Sequence, residues 1–434
     1  MKSRAPTGAA GGGGRGDALV GLASQRVLLP EGPLRPAVVW IDTARGEIES
    51  VTEDGHSEPG IRDGTPHGRI VSLDDDLVLA PGFVDVHVHG GAGSQANGAH
   101  ADEVESSVAE FAAFHAHHGT TSLVATTVSD SHERLMASVE GIARATGRTV
   151  SSAGRAGAAR VLGCHLEGPF ISLARAGAQD RSEIRPPDPG QLTELLERGG
   201  GAVRMITLAP ELDGAAELIS LCHDAGVVVS IGHSDADYEC ARRAFDAGAS
   251  HVAHLFNAMA PLHQRRPGPV GAALSDETVT VELICDMHHV HPAVVSIVAA
   301  AAPERVVIVT DASAAAGMES GPVSLGGVHA VLDGTEVTLA DDPLTLAGSA
   351  LTMDLAVRRV VRDARIPLEH ALRAASTAPA RVVGGLPGDL APLPGLGMVA
   401  AGAPADLVLL DGQLDAVATL VAGRAVFDPR SLVS

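Results

Sequence analysis

The chain has 434 residues, 45% of them hydrophobic, and a formal net charge of −22. That length accommodates an α/β barrel of ~250 residues beside a smaller unit, and the negative charge opposes binding to nucleic acid or an anionic membrane. The single lysine, Lys2, lies in a Gly/Ala-rich stretch at the N-terminus, so Schiff-base chemistry and a carbamylated-lysine metal bridge are excluded from the rest of the chain. Four widely spaced cysteines (Cys164, Cys222, Cys240, Cys285) form no CxxC pair, which suits reduced thiols in a cytoplasmic protein. No segment approaches the ~20 apolar residues of a membrane span. Residues 1–16 lack the apolar region of a secretory signal, and 1–17 are expected to be a disordered tail.

From 18 to 79 the chain alternates short strand-like segments (18–22, 26–29, 37–43, 46–53, 69–73) with polar turns, the signature of a small β unit. Then the rhythm changes. Apolar strands are predicted at 82–89, 121–128, 160–167, 203–210, 227–233, 250–256, 279–285 and 305–310. Amphipathic helices are predicted between them at 101–118, 132–145, 189–198, 214–225, 235–247 and 292–301, several stopping at glycine, with Ser234 placed to cap the helix from 235. Apolar strands alternating with helices imply a parallel sheet covered on both faces, and eight such units imply a (β/α)8 TIM barrel. Helices at 351–363 and 368–376 lead to a Pro/Gly-rich connector at 384–397, and strands return at 405–410 and 417–426. The expected organisation is a barrel over 80–384 and a small β-sandwich built from both chain ends, 18–79 with 385–434.

In such a barrel the chemistry sits at the C-terminal ends of the strands. The first strand ends in His87-Val88-His89, and alternation places both imidazoles on one face. The third ends in His165-Leu166-Glu167, the fifth in Gly232-His233, the sixth carries His254 to Ala258, the seventh leads to Asp286-Met287-His288-His289, and the eighth to Asp311. Glu167, His233 and His254 form the one-carboxylate, two-imidazole set of a hydrolytic zinc with an open water position. His87 and His89 offer a second site, with Glu167 as the anionic bridge. Asp311 is the natural general base, and afterwards the acid. Zinc, iron, manganese and cobalt all suit such ligands, as one ion or two.

These motifs resemble the N-acetylglucosamine-6-phosphate deacetylase family of the amidohydrolase superfamily. The carrying segments are 81–91, 118–121, 163–170, 206–211, 232–235, 254–259 with 265–268, 309–312 and 346–353, spread over 79–423. The resemblance implies metal-dependent cleavage of the acetamide of an amino-sugar phosphate. It implies Glu167, His233 and His254 as the principal ligands, His87 and His89 as ligands of a second ion that only some members hold, and Asp311 as the catalytic acid/base. It further implies that Asn257 and Ala258 hold the phosphate end, that Arg265 reaches the phosphate across a homodimer interface, and that His289 binds substrate. Two positions depart from the family pattern. Gly177-Ala178-Gln179 stands where members carry a histidine third that polarises the carbonyl, and Met287 follows Asp286 where members carry glycine, adding bulk beside the site. These departures keep open a deacylase of another N-acyl amino sugar phosphate or of an N-acyl amino acid. A non-catalytic sugar-phosphate binder is the third reading.

Some histidines carry no assigned role: His115, His117, His132, His223 and His251 are read as surface or packing residues, and His263 as rim. His165 follows the apolar face of its strand, either as a core residue or as support for the site. His288 or His291 could take the place of His289. Cys285 lacks a paired base and is read as packing.

Overall fold

The structure is a computed structural model that describes residues 19–53, 68–151, 157–384 and 394–433. The expected tail at 1–17 and most of the connector at 384–397 lie outside the described residues.

Eight parallel strands form the barrel in chain order: Phe83–Val88, Thr120–Thr127, Arg160–Glu167, Val203–Leu208, Val228–Ile231, His251–Val252, Thr280–Ile284 and Val306–Val309. Backbone bonds close the ring at the catalytic edge, where Asp311 N donates to His87 O at 2.9 Å and His89 N to Ala312 O at 2.8 Å. Every residue of Phe83–Val88 and of Thr120–Thr127 is buried. Such strands are covered by helices outside and by packed side chains inside, which is why they read as continuous rather than alternating. The helices Ala101–Ala116, Pro189–Gly199, Ala215–Ala225 and Pro292–Ala301 stand close to the predicted spans, and His132–Ser151 starts where predicted but runs six residues past 145. Gly200 and Gly226 end two of them in left-handed conformation, with φ of 53° and 69°, where a Cβ would be strained.

Three expectations need correction. The helix predicted from 235 begins at Tyr238, and its cap is Asp237, whose side chain accepts from Cys240 N; Ser234 instead donates to Glu211 Oε2 at 2.7 Å. The strand predicted at 250–256 shrinks to His251–Val252, because His254, Phe256 and Ala258 take φ of 27°, 79° and 47°, outside the strand region, and fold the chain across the barrel mouth. Helix Gly268–Ser275 escaped prediction; its proline and two glycines read as turn signals.

Both chain ends build the second sheet, in the order Arg424–Phe427, Ala416–Val421, Leu407–Leu410, Val78–Pro81, Leu19–Val27, Arg35–Asp42, Glu47–Thr52, with Arg69–Ser72 also paired to Leu19–Val27. It is one hydrogen-bonded sheet curled on itself: Ile48 N, on the edge strand, donates at 2.8 Å to Ala403 O, just before Leu407–Leu410. Alternation then sorts its side chains. Leu79, Leu407 and Leu409 face the enclosed core with Leu22, Val39 and Ile48, while Val78, Ala80, Val408 and Leu410 belong to the barrel's core.

After the eighth strand an antiparallel insert appears, Gly321–Leu325, Val328–Asp333 and Glu336–Leu339. Its small core of Val323, Leu325, Ala330, Leu332 and Val337 packs against Ala178. The insert thereby covers the loop that carries Gln179.

Candidate metal centre

Folding brings His87, His89, Glu167, His233, His254 and Asp311 to one end of the barrel, all largely buried. Their donor atoms form two overlapping groups, His87/His89/Glu167 and Glu167/His233/His254, each spanning no more than 4.8 Å between ligand atoms. Glu167 is common to both. Its Oε1 lies 2.9 Å from His254 Nε2, 3.2 Å from His233 Nε2 and 3.3 Å from His87 Nε2. Asp311 Oδ1 lies 3.0 Å from His89 Nε2 and 3.5 Å from His87 Nε2. The backbone is bent to achieve this: His233 and Asp311 have φ of 47° and 48°, a left-handed conformation that costs non-glycine residues of order 1–3 kcal/mol each and clusters at working sites.

The hydrogen bonds behind the rings show that this donor set fits a cation. His89 Nδ1 bonds Thr126 O at 3.0 Å and His233 Nδ1 bonds Arg175 O at 2.9 Å. A carbonyl only accepts, so both Nδ1 atoms carry the proton, and in the neutral ring Nε2 is the lone-pair atom. Those lone pairs face carboxylate oxygens, an apposition that is repulsive without positive charge between them. His87 Nε2 is buried without a hydrogen-bond partner. Burial disfavours charge on His87 and His233, yet the carboxylates of Glu282 and Glu167 respectively hold both above the usual imidazole pKa. Burial likewise opposes ionisation of Glu167, but the charges of His233 and His87 hold its carboxyl well below the usual range.

The other expected residues divide. Gln179 is buried beside Glu167, but its amide is engaged at both ends: Oε1 accepts from Ser129 N at 2.6 Å and Nε2 donates to Glu167 Oε2 at 2.5 Å. The Ser129 N–H fixes which way the amide points. Ala178, Asn257, Ala258 and His289 line a cavity of about 260 Å³ that opens onto Glu167, His233, His254 and Asp311. Asn257 spends its Nδ2 on the carbonyls of His254 and Leu255. His289 Nδ1 bonds Asp286 Oδ2 at 2.7 Å, leaving Nε2 free. Its neighbours His288 and His291 turn to Thr335 Oγ1 and to Ala293 N. Arg265 is exposed and is not among the residues lining this cavity. Met287 takes φ of 63°, packs against the barrel core and is not among the residues lining the cavity.

His165 lies under the centre. Its Nε2 bonds Thr207 Oγ1 at 2.7 Å, its ring is 4.7 Å from that of His87, and burial pushes its pKa down to about 3. Sequence reasoning missed Glu282, a fully buried carboxylate on Thr280–Ile284 that bonds His87 Nδ1 and His251 Nε2, each at 2.8 Å. A lone glutamate inside an apolar strand was the available signal.

A closed parallel barrel with this carboxylate–imidazole cluster at its C-terminal mouth defines a barrel hydrolase of the metal-dependent kind. The amidohydrolase family model matches residues 78–430, and the chain belongs to that family. The chain is similar to the human N-acetylglucosamine-6-phosphate deacetylase, 38% identical over 81% of this chain and 83% of the relative. It is also similar to an N-acetylgalactosamine-6-phosphate deacetylase of Escherichia coli O157:H7, 37% identical over 78% and 85%. Among solved structures, a variant N-acetyl-D-glucosamine-6-phosphate deacetylase of Mycobacterium smegmatis in complex with N-acetyl-D-glucosamine-6-phosphate superposes with a TM-score of 0.82 at 36% identity, covering 94% of this chain and all of that one. Divalent-metal dependence is typical of the family, and the His/Glu groups are present for it. No helix among the described residues is long and apolar enough to cross a membrane.

Proposed function

We propose that the chain is a metal-dependent deacetylase that hydrolyses N-acetyl-D-glucosamine 6-phosphate to D-glucosamine 6-phosphate and acetate. The observation that carries this reading is the buried meeting of Glu167, His233, His254 and Asp311 at the floor of a cavity of sugar size. Glu167, His233 and His254 would hold one divalent ion, and His87 and His89 with Glu167 a second. Zinc suits the donors, as do iron, manganese and cobalt. Such an ion acidifies water towards neutrality and polarises a carbonyl.

The protein's own groups supply the proton movements and the placement of substrate. Burial raises the Asp311 pKa, but His87 and His89 outweigh it and hold its carboxyl below the usual range, so at neutral pH Oδ1 is ready to take a proton from the attacking water. The same atom then returns that proton to the amine as the C–N bond breaks. His289, steered by Asp286, presents Nε2 to a substrate hydroxyl or carbonyl. Asn257 and Ala258 border the end where the 6-phosphate sits. Among the described residues neither arginine nor lysine lines the cavity, and Arg265 is exposed, which supports a homodimer in which a second copy offers its arginine to the phosphate. Free cysteines, three of them buried, suit a reducing cytoplasm.

The test is acetate release from N-acetylglucosamine 6-phosphate by purified protein, chelated and then reloaded with Zn²⁺, Mn²⁺ or Co²⁺. Release only after reloading is the expected result, and no release from folded, loaded protein sinks the reading. The E. coli relative favours one alternative, the galactosamine epimer. A kcat/KM for N-acetylgalactosamine 6-phosphate above that for the glucosamine compound would decide for it. Arg265→Ala should raise KM for either phosphate with kcat little changed.

A further inference from the structure

Glu282 sits beneath the centre with no exposed surface. Its Oε2 accepts from His87 Nδ1 at 2.8 Å and from the backbone N–H of His254 at 3.0 Å, and its Oε1 meets His251 Nε2 at 2.8 Å. His251 is held in turn by Thr280 Oγ1, 2.6 Å from its Nδ1. Every strong partner of this carboxylate is therefore a donor, and one oxygen serves residues from both candidate ion sites. A carboxylate in hydrogen-bond contact with Nδ1 fixes the imidazole as its Nδ1–H tautomer and makes Nε2 the stronger donor atom. His87 Nε2 is the atom left buried without a hydrogen-bond partner, aimed between Glu167 and Asp311. His89 and His233 take this orientation from backbone carbonyls; His87 takes it from a charged group brought in by a different strand.

We infer that Glu282 is a positioning residue that sets the second ion: it holds His87 in the tautomer that binds the ion shared with His89 and Glu167. The inference rests on the metal-dependent reading of the same site. Its charge also compensates a second cation in a buried centre that holds Glu167 and Asp311 at the rings and Asp85 on the backbone N–H of His87. The ion at Glu167, His233 and His254 depends on Glu282 only through a backbone N–H, which a glutamine oxygen in the Oε2 place still accepts; that oxygen also still accepts from His87 Nδ1, so the glutamine removes the charge that makes Nε2 the stronger donor atom.

The experiment titrates chelated protein with Zn²⁺ and counts ions per subunit by elemental analysis, for wild type and Glu282→Gln. Wild type should take up two ions. The variant should hold the first ion as wild type does and bind the second roughly 10–100-fold more weakly, the usual effect of losing such a partner. Equal affinity for both ions in the variant overturns the inference, and so does a wild type that takes only one ion, which leaves the hydrolase reading standing. A wild type that takes none sinks both. Should the variant not fold, nitrogen-15 spectra of zinc-loaded wild type decide: the proton on His87 belongs on Nδ1, and a proton on Nε2 would overturn the assignment. A merely structural Glu282 would lower the unfolding midpoint without separating the two ions.

Discussion

At the residue scale the centre is governed by which atom of each ring carries its proton. Thr126 O, Arg175 O and Glu282 each take the Nδ1 side of a histidine and turn its Nε2 towards Glu167 or Asp311. Asp311 is the one carboxylate in this set that faces the cavity without a hydrogen-bonded clamp like that on Glu167. Asp311→Asn should therefore lower kcat by about 10²–10⁴-fold, the range for losing a positioned acid/base, while elemental analysis still finds the metal; unchanged turnover would remove Asp311 from the reaction. Gln179 stands in the loop place of a carbonyl-polarising donor, and its amide is engaged at both ends. Its amide ties the Ser129 N–H to Glu167 Oε2. Gln179→Ala frees that oxygen and leaves a buried N–H without an acceptor. Ion affinity, measured by chelator competition, should fall about 10–100-fold. An unaltered affinity with a reduced kcat would return Gln179 to the role of a carbonyl donor. Neither tautomers nor this amide's engagement was legible in sequence, because both depend on acceptors contributed by other strands.

At the scale of elements, helix Ala101–Ala116 is tied to the barrel mouth by a buried histidine. His115 Nε2 donates to Gly90 O at 2.9 Å, next to the ligand pair, and burial pushes its pKa down to about 4. The unfolded chain takes up this proton near pH 6.5 and the folded chain only near 4. Between those values the unfolded state binds more protons, so stability is full above pH 6.5 and is lost as the pH falls towards 4. At pH 5 the loss amounts to about 2 kcal/mol. Urea midpoints at pH 7 and pH 5 should show that drop in wild type and a smaller one in His115→Gln; equal drops would place the acid sensitivity elsewhere. The sequence reading placed His115 among packing residues without its proton chemistry. The insert at Gly321–Leu339 went unpredicted even though Val323/Leu325 and Ala330/Leu332 alternate around Gly326-Gly327 and Asp333-Gly334. Such a hairpin pattern identifies strands. It does not reveal that the strands will lie over the Gln179 loop.

At the scale of the whole molecule, a largely buried ion pair helps join the barrel to the second sheet, beside the more exposed pair of Arg358 with Asp415. Arg160 Nη2 lies 3.1 Å from Asp406 Oδ1, with the side chains 13% and 3% exposed, and Asp406 also accepts from Ala422 N at 2.7 Å. Asp406 O receives Gly82 N at the entry to the first barrel strand. Asp406→Ala strands the guanidinium between the two units, and unfolding by urea should show a loss of about 3–5 kcal/mol. Replacing both partners, Arg160→Met with Asp406→Leu, should recover most of it. A double variant as unstable as the single one would show that the ion pair is not the source of the loss.

The sequence by itself determined the βα rhythm, the barrel, the joining of both chain ends in one β unit, and the histidines and carboxylates to be examined. These follow from local periodicity and from a rule of barrels, that strand ends carry the chemistry. Residues such as His87, His233 and Asp311 announce themselves because polar groups are out of place at the ends of apolar strands. Tertiary structure alone decided the rest: that Glu282 and His87, 195 positions apart, meet at 2.8 Å, that the chain at 254–258 leaves its strand and lines the cavity with His254, Asn257 and Ala258, and that Arg265 stands outside it. Those outcomes turn on distances between segments remote in the chain. Hydrogen bonds act over about 3 Å, and no pattern of neighbours along a sequence encodes that distance.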